Sequence, residues 1–252
     1  PFDPLYGTGN SPGFFYNTPP LWHIILAYLW KYTGGVSQVI AQAYHVFFFI
    51  LLIWVTAALT RIHTGDEKTG WLSSIIIAGI PMVVSFSTLL YMDVPTAALA
   101  ALSFYLILKK QYLLAGMACG LVYLVKFSGF FFLPGFFIII LFNAEKRIRI
   151  FVKNMVLFNV PILIVYLYDS YWRRTHIIEK LNTIDWSYIS MRINTTFTGT
   201  RLKEYLNSNL TNPADIVKYL GIPFLLIILF YLSRFRKWTR KDMVFWVPVI
   251  SY

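Results

Sequence analysis

Cysteine is almost missing from this chain: Cys119 is the only one in 252 residues. That excludes a disulfide framework and a cysteine-based metal cluster. Charge is scarce too, with 13% Asp, Glu, Lys and Arg against 58% hydrophobic residues and a mean hydropathy of +0.61. A soluble domain is about a quarter charged, so the composition predicts an integral membrane protein. No Walker loop, GxGxxG, HExxH or CxxC is present, which leaves nucleotide hydrolysis and soluble redox chemistry unsupported. Acids are half as numerous as bases, and the formal charge is +11. Those bases cluster between apolar runs and do not form one patch interleaved with aromatics. The pattern is that of membrane topology, and no nucleic-acid partner is expected. The chain opens at Pro1 without methionine and stops at Tyr252 inside an apolar run, as a fragment would. No signal peptide is visible, and none is expected in such a fragment.

What is abundant is apolar and aromatic, the aromatics at 19%. The expected fold is all-α, a polytopic transmembrane helical protein forming one domain over 1–252. Residues 1–20 (PFDPLYGTGNSPGFFYNTPP) read as a loop from their turn residues. Leu21–Tyr32 is too short to cross ~30 Å of hydrocarbon, so 1–35 is an outer loop followed by an interfacial helix. Spans are expected at about 37–60, 71–91, 96–108, 112–126, 129–143, 151–169, 215–233 and 243–252. The segment 170–214 is a long outer loop with juxtamembrane helices lying on the membrane. Phe127-Ser128 is all that separates two of the spans, so Lys126 and Gly129 must share a tight turn. With 1–35 outside, the clusters around Arg61, Lys109-Lys110, Arg147-Arg149 and Arg234-Lys241 all fall inside, as the positive-inside rule requires. The same threading puts 1–35, Asp93, Lys126 and 170–214 together on the outer face.

Asp93 is the residue around which that face is organised. It lies in Tyr91-Met92-Asp93-Val94-Pro95, between two strongly apolar runs. One reading makes it the N-cap of the next helix, with Pro95 in the first turn. The other makes it a catalytic or ligand-binding carboxylate at the mouth of a membrane cavity. Lys126 either snorkels to headgroups or meets an anion. Arg173 and Arg174 either anchor the chain at the interface or bind that anion; His23 and His176 are packing residues or line the site. His45, mid-span, either packs or bonds a neighbouring helix. A lone carboxylate facing cations suits an enzyme that activates an acceptor hydroxyl and holds an anionic leaving group. A lipid-linked phosphate is the natural anion there.

Three stretches together carry a resemblance. Phe15-Tyr16-Asn17-Thr18-Pro19-Pro20-Leu21-Trp22 and the short helix after it resemble the "PPLYYW" segment of the C-type (GT-C) membrane glycosyltransferases. Tyr91 to Pro95 resembles their second acidic motif. Gly120-Leu121-Val122-Tyr123-Leu124-Val125-Lys126-Phe127-Ser128-Gly129 with Leu133-Pro134 resembles their "GLAxLTKxxGxxxLP" helix pair. Order and spacing are similar to the branch of protein O-mannosyltransferases and aminoarabinose transferases, over about residues 10–140. The resemblance implies transfer of a sugar from a polyprenyl- or dolichyl-phosphate carrier to a protein, lipid or glycan acceptor. It implies a multi-pass protein of a prokaryotic plasma membrane or the endoplasmic reticulum, with its active site on the outer or lumenal face. By motif position Asp93 is catalytic and Lys126, with Arg173 and Arg174, binds the donor phosphate. Asp3, Tyr16, Asn17, His23 and His176 line the acceptor side. The family's first acidic motif would lie before Pro1. Its metal-ligating Glu before "PPL" is replaced here by Asn17-Thr18, so a divalent metal is compatible with the chemistry but not called for by the residues present. Two other classes fit the hydropathy: a transporter or flippase for lipid-linked sugars, and a non-catalytic scaffold.

Overall fold

A computed structural model describes residues 21–88, 91–126, 129, 132–144 and 147–173. Every regular element among them is helical, in keeping with an all-α protein. In chain order these are α1 (Leu21–Tyr32), α2 (Gln38–Thr64), α3 (Glu67–Ala78), α4 (Pro81–Thr88), α5 (Asp93–Leu108), α6 (Tyr112–Val125), α7 (Leu133–Asn143) and α8 (Ile148–Arg173). The chain divides into one unit of Pro1–Gly79, Val83–Asp169 and Lys237–Tyr252 and another of Ile80–Met82 and Ser170–Arg236. The packing described below lies within the first.

Local chemistry explains where the helices stop. α1 runs out at Thr33-Gly34-Gly35, where both glycines take positive φ (92° and 148°). Ser37 then caps α2 by accepting from the Ile40 N–H. α2 ends in a left-handed cap at Gly65 (φ 74°), whose N–H bonds the Arg61 carbonyl. Its hydroxyls at Thr56, Thr60 and Thr64 each donate to the carbonyl four residues back, at 2.8–2.9 Å. Polar groups on an apolar helix are thereby satisfied internally.

Two described helices are long and apolar enough to cross a membrane: Gln38–Thr64 and Ile148–Tyr171. The expected span 71–91 is not one straight rod. It breaks after Gly79, and Glu67–Ala78 meets Pro81–Ser87 at 66°; counted as a single span, this pair makes the third. Pro81 stands first in α4, where a missing N–H costs nothing, but it offers no donor with which to continue α3. The remaining expectations shift at their edges. α2 extends past residue 60, α5 begins at Asp93 instead of 96, and α7 begins at Leu133 with Pro134 in its first turn. α8 starts before 151 and runs on to Arg173, so the first residues assigned to the outer loop are helical. At 16, 14 and 11 residues, α5, α6 and α7 are each shorter than the ~20 residues of a straight span. The spans at 215–233 and 243–252, most of 170–214, and 1–20 lie outside the described residues.

α5 and α6 form a hairpin through Lys109-Lys110-Gln111, with Lys110 at φ 60°. The buried Ser103 hydroxyl crosses the hairpin to the Ala115 carbonyl at 2.9 Å. On its other face α6 carries Gly116 and Gly120. A β-carbon at Gly116 would collide with the Phe158 carbonyl, and one at Gly120 would press on Val165 at 3.1 Å. Small residues four apart let two helices approach closely, a common packing device in lipid. A core of Phe104, Ile107, Tyr112, Phe136, Ile139 and Phe158 fills the space among α5, α6, α7 and α8. Cys119 is buried in that core as a free thiol.

Candidate functional site

Asp93 and Lys126 meet. The Lys126 Nζ lies 2.6 Å from the Asp93 Oδ1, joining the start of α5 to the end of α6 across 33 residues of chain. Both side chains keep more than a third of their surface exposed, at 38% and 36%.

The geometry corrects the cap reading of Asp93. Met92, not Asp93, occupies the N-cap, in helical backbone and without a side-chain cap bond. Its carbonyl takes the Thr96 N–H at 3.0 Å and the Thr96 hydroxyl at 2.6 Å. Asp93 is the first helical residue, and its carboxylate turns away from the backbone toward Lys126. The positive end of α5 still favours a negative charge there. Pro95 sits buried in the first turn, as expected.

Lys126 is placed by the way α6 ends. Its backbone is extended (φ −152°, ψ 126°), with its N–H on the Val122 carbonyl. Its own carbonyl accepts the Gly129 N–H at 2.9 Å. A side chain at Gly129 would run into Val122, so only glycine lets the chain fold back this tightly. The turn expected at Lys126 and Gly129 is present, and the lysine reaches from it to Asp93 on α5.

Trp22, the tryptophan of the Pro-Pro-Leu-Trp stretch, packs against both flanks of the ion pair. It is 3% exposed and shares a cluster with Leu99, Val122, Val125 and, at its edge, Met92. Its ring stacks on Tyr44 at 4.3 Å and meets the edge of His45 at 4.9 Å. His45 is fully buried, and neither ring nitrogen has a hydrogen-bond partner among the described residues. Among the described residues it packs at the α1–α2 contact and makes no interhelical hydrogen bond. His23 shares α1 with Trp22, and burial holds its pKa below the ordinary imidazole value. Among the described residues no hydrogen bond or ion pair links it to Asp93 or Lys126. The Asp3, Tyr16, Asn17, Arg174 and His176 positions, and the Arg173 side chain, lie outside the described part.

A cavity of about 380 Å³ lies between α2 and α5. Its walls are Thr56 and Thr60 of α2, Ala97 and Ala101 of α5, and Phe132 and Phe136. Ala97 is one turn beyond Asp93, and Phe132 also packs on the cluster that holds Val125. Neither Asp93 nor Lys126 lines the cavity, which runs as a mainly apolar slot from Ala97 toward His63 and Phe104.

The structure also shows a carboxylate that sequence reading passed over. Asp169, near the end of α8, is 3% exposed and accepts the Tyr123 hydroxyl at 2.9 Å. The available signal was an acid at the end of an apolar run, the same signal that singled out Asp93. Among the described residues, no three His, Cys, Asp or Glu side chains gather as a metal-binding group. No family model, curated protein or solved structure matches the chain. The likeness to the GT-C enzymes therefore rests on its three motifs.

Proposed function

We propose that this chain acts as a polytopic membrane glycosyltransferase of the GT-C type. It moves a sugar from a polyprenyl- or dolichyl-phosphate to a protein, lipid or glycan acceptor at the outer or lumenal face. The observation that carries this reading is the Asp93–Lys126 pair: two residues named by separate motifs, 33 positions apart, stand 2.6 Å from each other. An ion pair this exposed contributes only about 0–1 kcal/mol to folding. The fold has no great need of it, and an arriving anion can displace it.

In this reading Lys126 takes the donor phosphate and the apolar slot beside Ala97 and Phe132 receives the first part of the lipid chain. The bond between the sugar's anomeric carbon and the phosphate oxygen breaks, and an acceptor oxygen forms the new bond to that carbon. Lys126 stabilises the charge left on the lipid phosphate. Asp93, released from Lys126, accepts a hydrogen bond from the acceptor hydroxyl and orients it, or takes its proton.

The test uses the full chain in nanodiscs, offered polyprenyl phosphate, the corresponding polyprenol, and polyprenyl-phosphate sugars. The expected result is at least about tenfold tighter binding of the phosphate than of the alcohol, and sugar-dependent release of polyprenyl phosphate. Equal affinity for the two lipids would sink the reading.

One observation favours a second reading. The 66° break between α3 and α4 is the kind of interrupted helix that lines transporter sites. A transporter or flippase would move labelled lipid-linked sugar between leaflets of a proteoliposome without consuming it.

A further inference from the structure

We propose that Asp169 is a positioning residue for Lys126, acting through Tyr123 and the last turn of α6. The effect on ligand binding rests on the lipid-phosphate reading above; the effect on geometry does not.

The inference begins with register. Gly116 lies on Phe158, Gly120 on Val165, and Tyr123 bonds Asp169. Numbers rise together along both helices, so α6 and α8 run parallel and their matching ends lie at one level. Tyr123 is thus the outermost of these contacts on α8, and Lys126 follows it within one turn. The other sides of that turn are also held: Val122 and Val125 pack in the Trp22 cluster, and Gly129 folds back on Val122. The Tyr123–Asp169 bond closes the remaining side.

Packing alone does not call for this bond. The glycines already bring the backbones together, and an apolar pair at 123 and 169 would fill the same space. Replacing buried charged or polar partners by well-packed apolar ones is often neutral or stabilising. A carboxylate at 3% exposure must be held by polar partners, and the Tyr123 hydroxyl is one of them. What the polar pair adds is direction. A hydroxyl 2.9 Å from one carboxylate oxygen fixes the rotation of α6 more narrowly than apolar contact can. A misplacement of about 1 Å is enough to spoil a site, and Lys126 is the cap on which α6 ends.

The experiment has a geometric arm and a ligand arm. In a Cys119→Ala background, Asp93→Cys and Lys126→Cys are joined with a short bifunctional methanethiosulfonate, and the rate of cross-linking is measured. Tyr123→Phe and Asp169→Leu are expected to slow it at least about fivefold, while Asp169→Asn, which keeps an acceptor oxygen, leaves it at the parent rate. Unchanged rates in the Phe and Leu variants overturn the proposal. In the ligand arm, Tyr123→Phe in the otherwise natural chain is expected to lower the preference for polyprenyl phosphate over polyprenol about tenfold, with polyprenol binding unchanged. Asp169→Asn is expected to retain the preference. A fall in Tm with the preference intact would make the pair structural and also overturn the proposal. If the natural chain shows no preference, the lipid-phosphate reading fails, and the cross-linking rates alone decide whether Asp169 positions residue 126.

Discussion

Asp66 and Asp93 stand at the starts of α3 and α5, and sequence grammar treats them alike: an aspartate, then a helix. Asp66 does what that grammar expects. Its backbone is extended, and its carboxylate accepts the Lys68 and Thr69 N–H groups at 3.2 and 2.9 Å and the Thr69 hydroxyl besides. Asp93 sits one position further in, bonds no backbone amide of its own helix start, and reaches Lys126 on another helix. The neighbouring charges differ as well. Arg61 and Glu67, beside Asp66, are 3.6 Å apart and 41% and 70% exposed, a loose surface pair. A cap consumes a carboxylate locally; a carboxylate that ignores its own helix is free for chemistry elsewhere.

Substitution can break or sharpen this contrast, and the largest effect is expected at Asp93. Asp93→Asn keeps shape and hydrogen bonding but removes the charge, and should lower the sugar-transfer rate about 10²–10⁴-fold in nanodiscs, with Tm close to that of the natural chain. Wild-type turnover would return Asp93 to the company of Asp66. Next comes Lys126→Met, expected to weaken polyprenyl-phosphate binding about tenfold in a titration while leaving polyprenol binding alone. A uniform loss for both lipids would mean that the lysine only packs. The smallest effect belongs to Asp66→Ala, which should lower Tm by a few degrees at neutral pH and leave lipid binding untouched.

The last of these carries its own pH dependence. The Thr69 hydroxyl and then the Thr69 N–H hold the Asp66 carboxyl below its ordinary pKa. A carboxyl whose pKa is lower in the folded state stabilises above its unfolded pKa and loses that contribution as pH falls through the folded one. The Tm gap between Asp66→Ala and the natural chain should therefore close under acid. A gap that persists at low pH would show that Asp66 acts through something other than its charge.

Much of this was legible in residue types alone. The end of α1 at Gly34-Gly35 follows from glycine's freedom at positive φ, and the turn at Lys126 and Gly129 from the short link between two apolar runs; the left-handed cap at Gly65 lies beyond the end expected for that span at about residue 60. Threading the apolar runs by their basic clusters gave Asp93 and Lys126 the same expected face. Their pairing was not legible, because 33 residues of sequence say nothing about which of several candidate cations a carboxylate will meet. The cap was misassigned for a related reason: residue identity proposes Asp as N-cap, while the backbone angles at Met92 decide otherwise. Pro81 was visible, but apolar continuity hid the break it marks. Asp169 shows as an acid at the end of an apolar run, but its bond to Tyr123, 46 residues away, depends on how α6 packs on α8. The Gly116 and Gly120 spacing was on the page, yet only the Phe158 carbonyl shows what it is for.

That glycine face bears on how the chain is made. α6 leaves the ribosome before α8, the helix against which its glycines fit. From Val125 to the end of α8 at Arg173, synthesis at about 5–20 residues per second takes roughly two to ten seconds. Through that interval the α5–α6 hairpin has a bare groove where α8 will lie, and Tyr123 awaits its carboxylate. The Lys126 turn is thus finished by a helix that arrives later, and slowing translation just after α6 would lengthen the time it spends half-built.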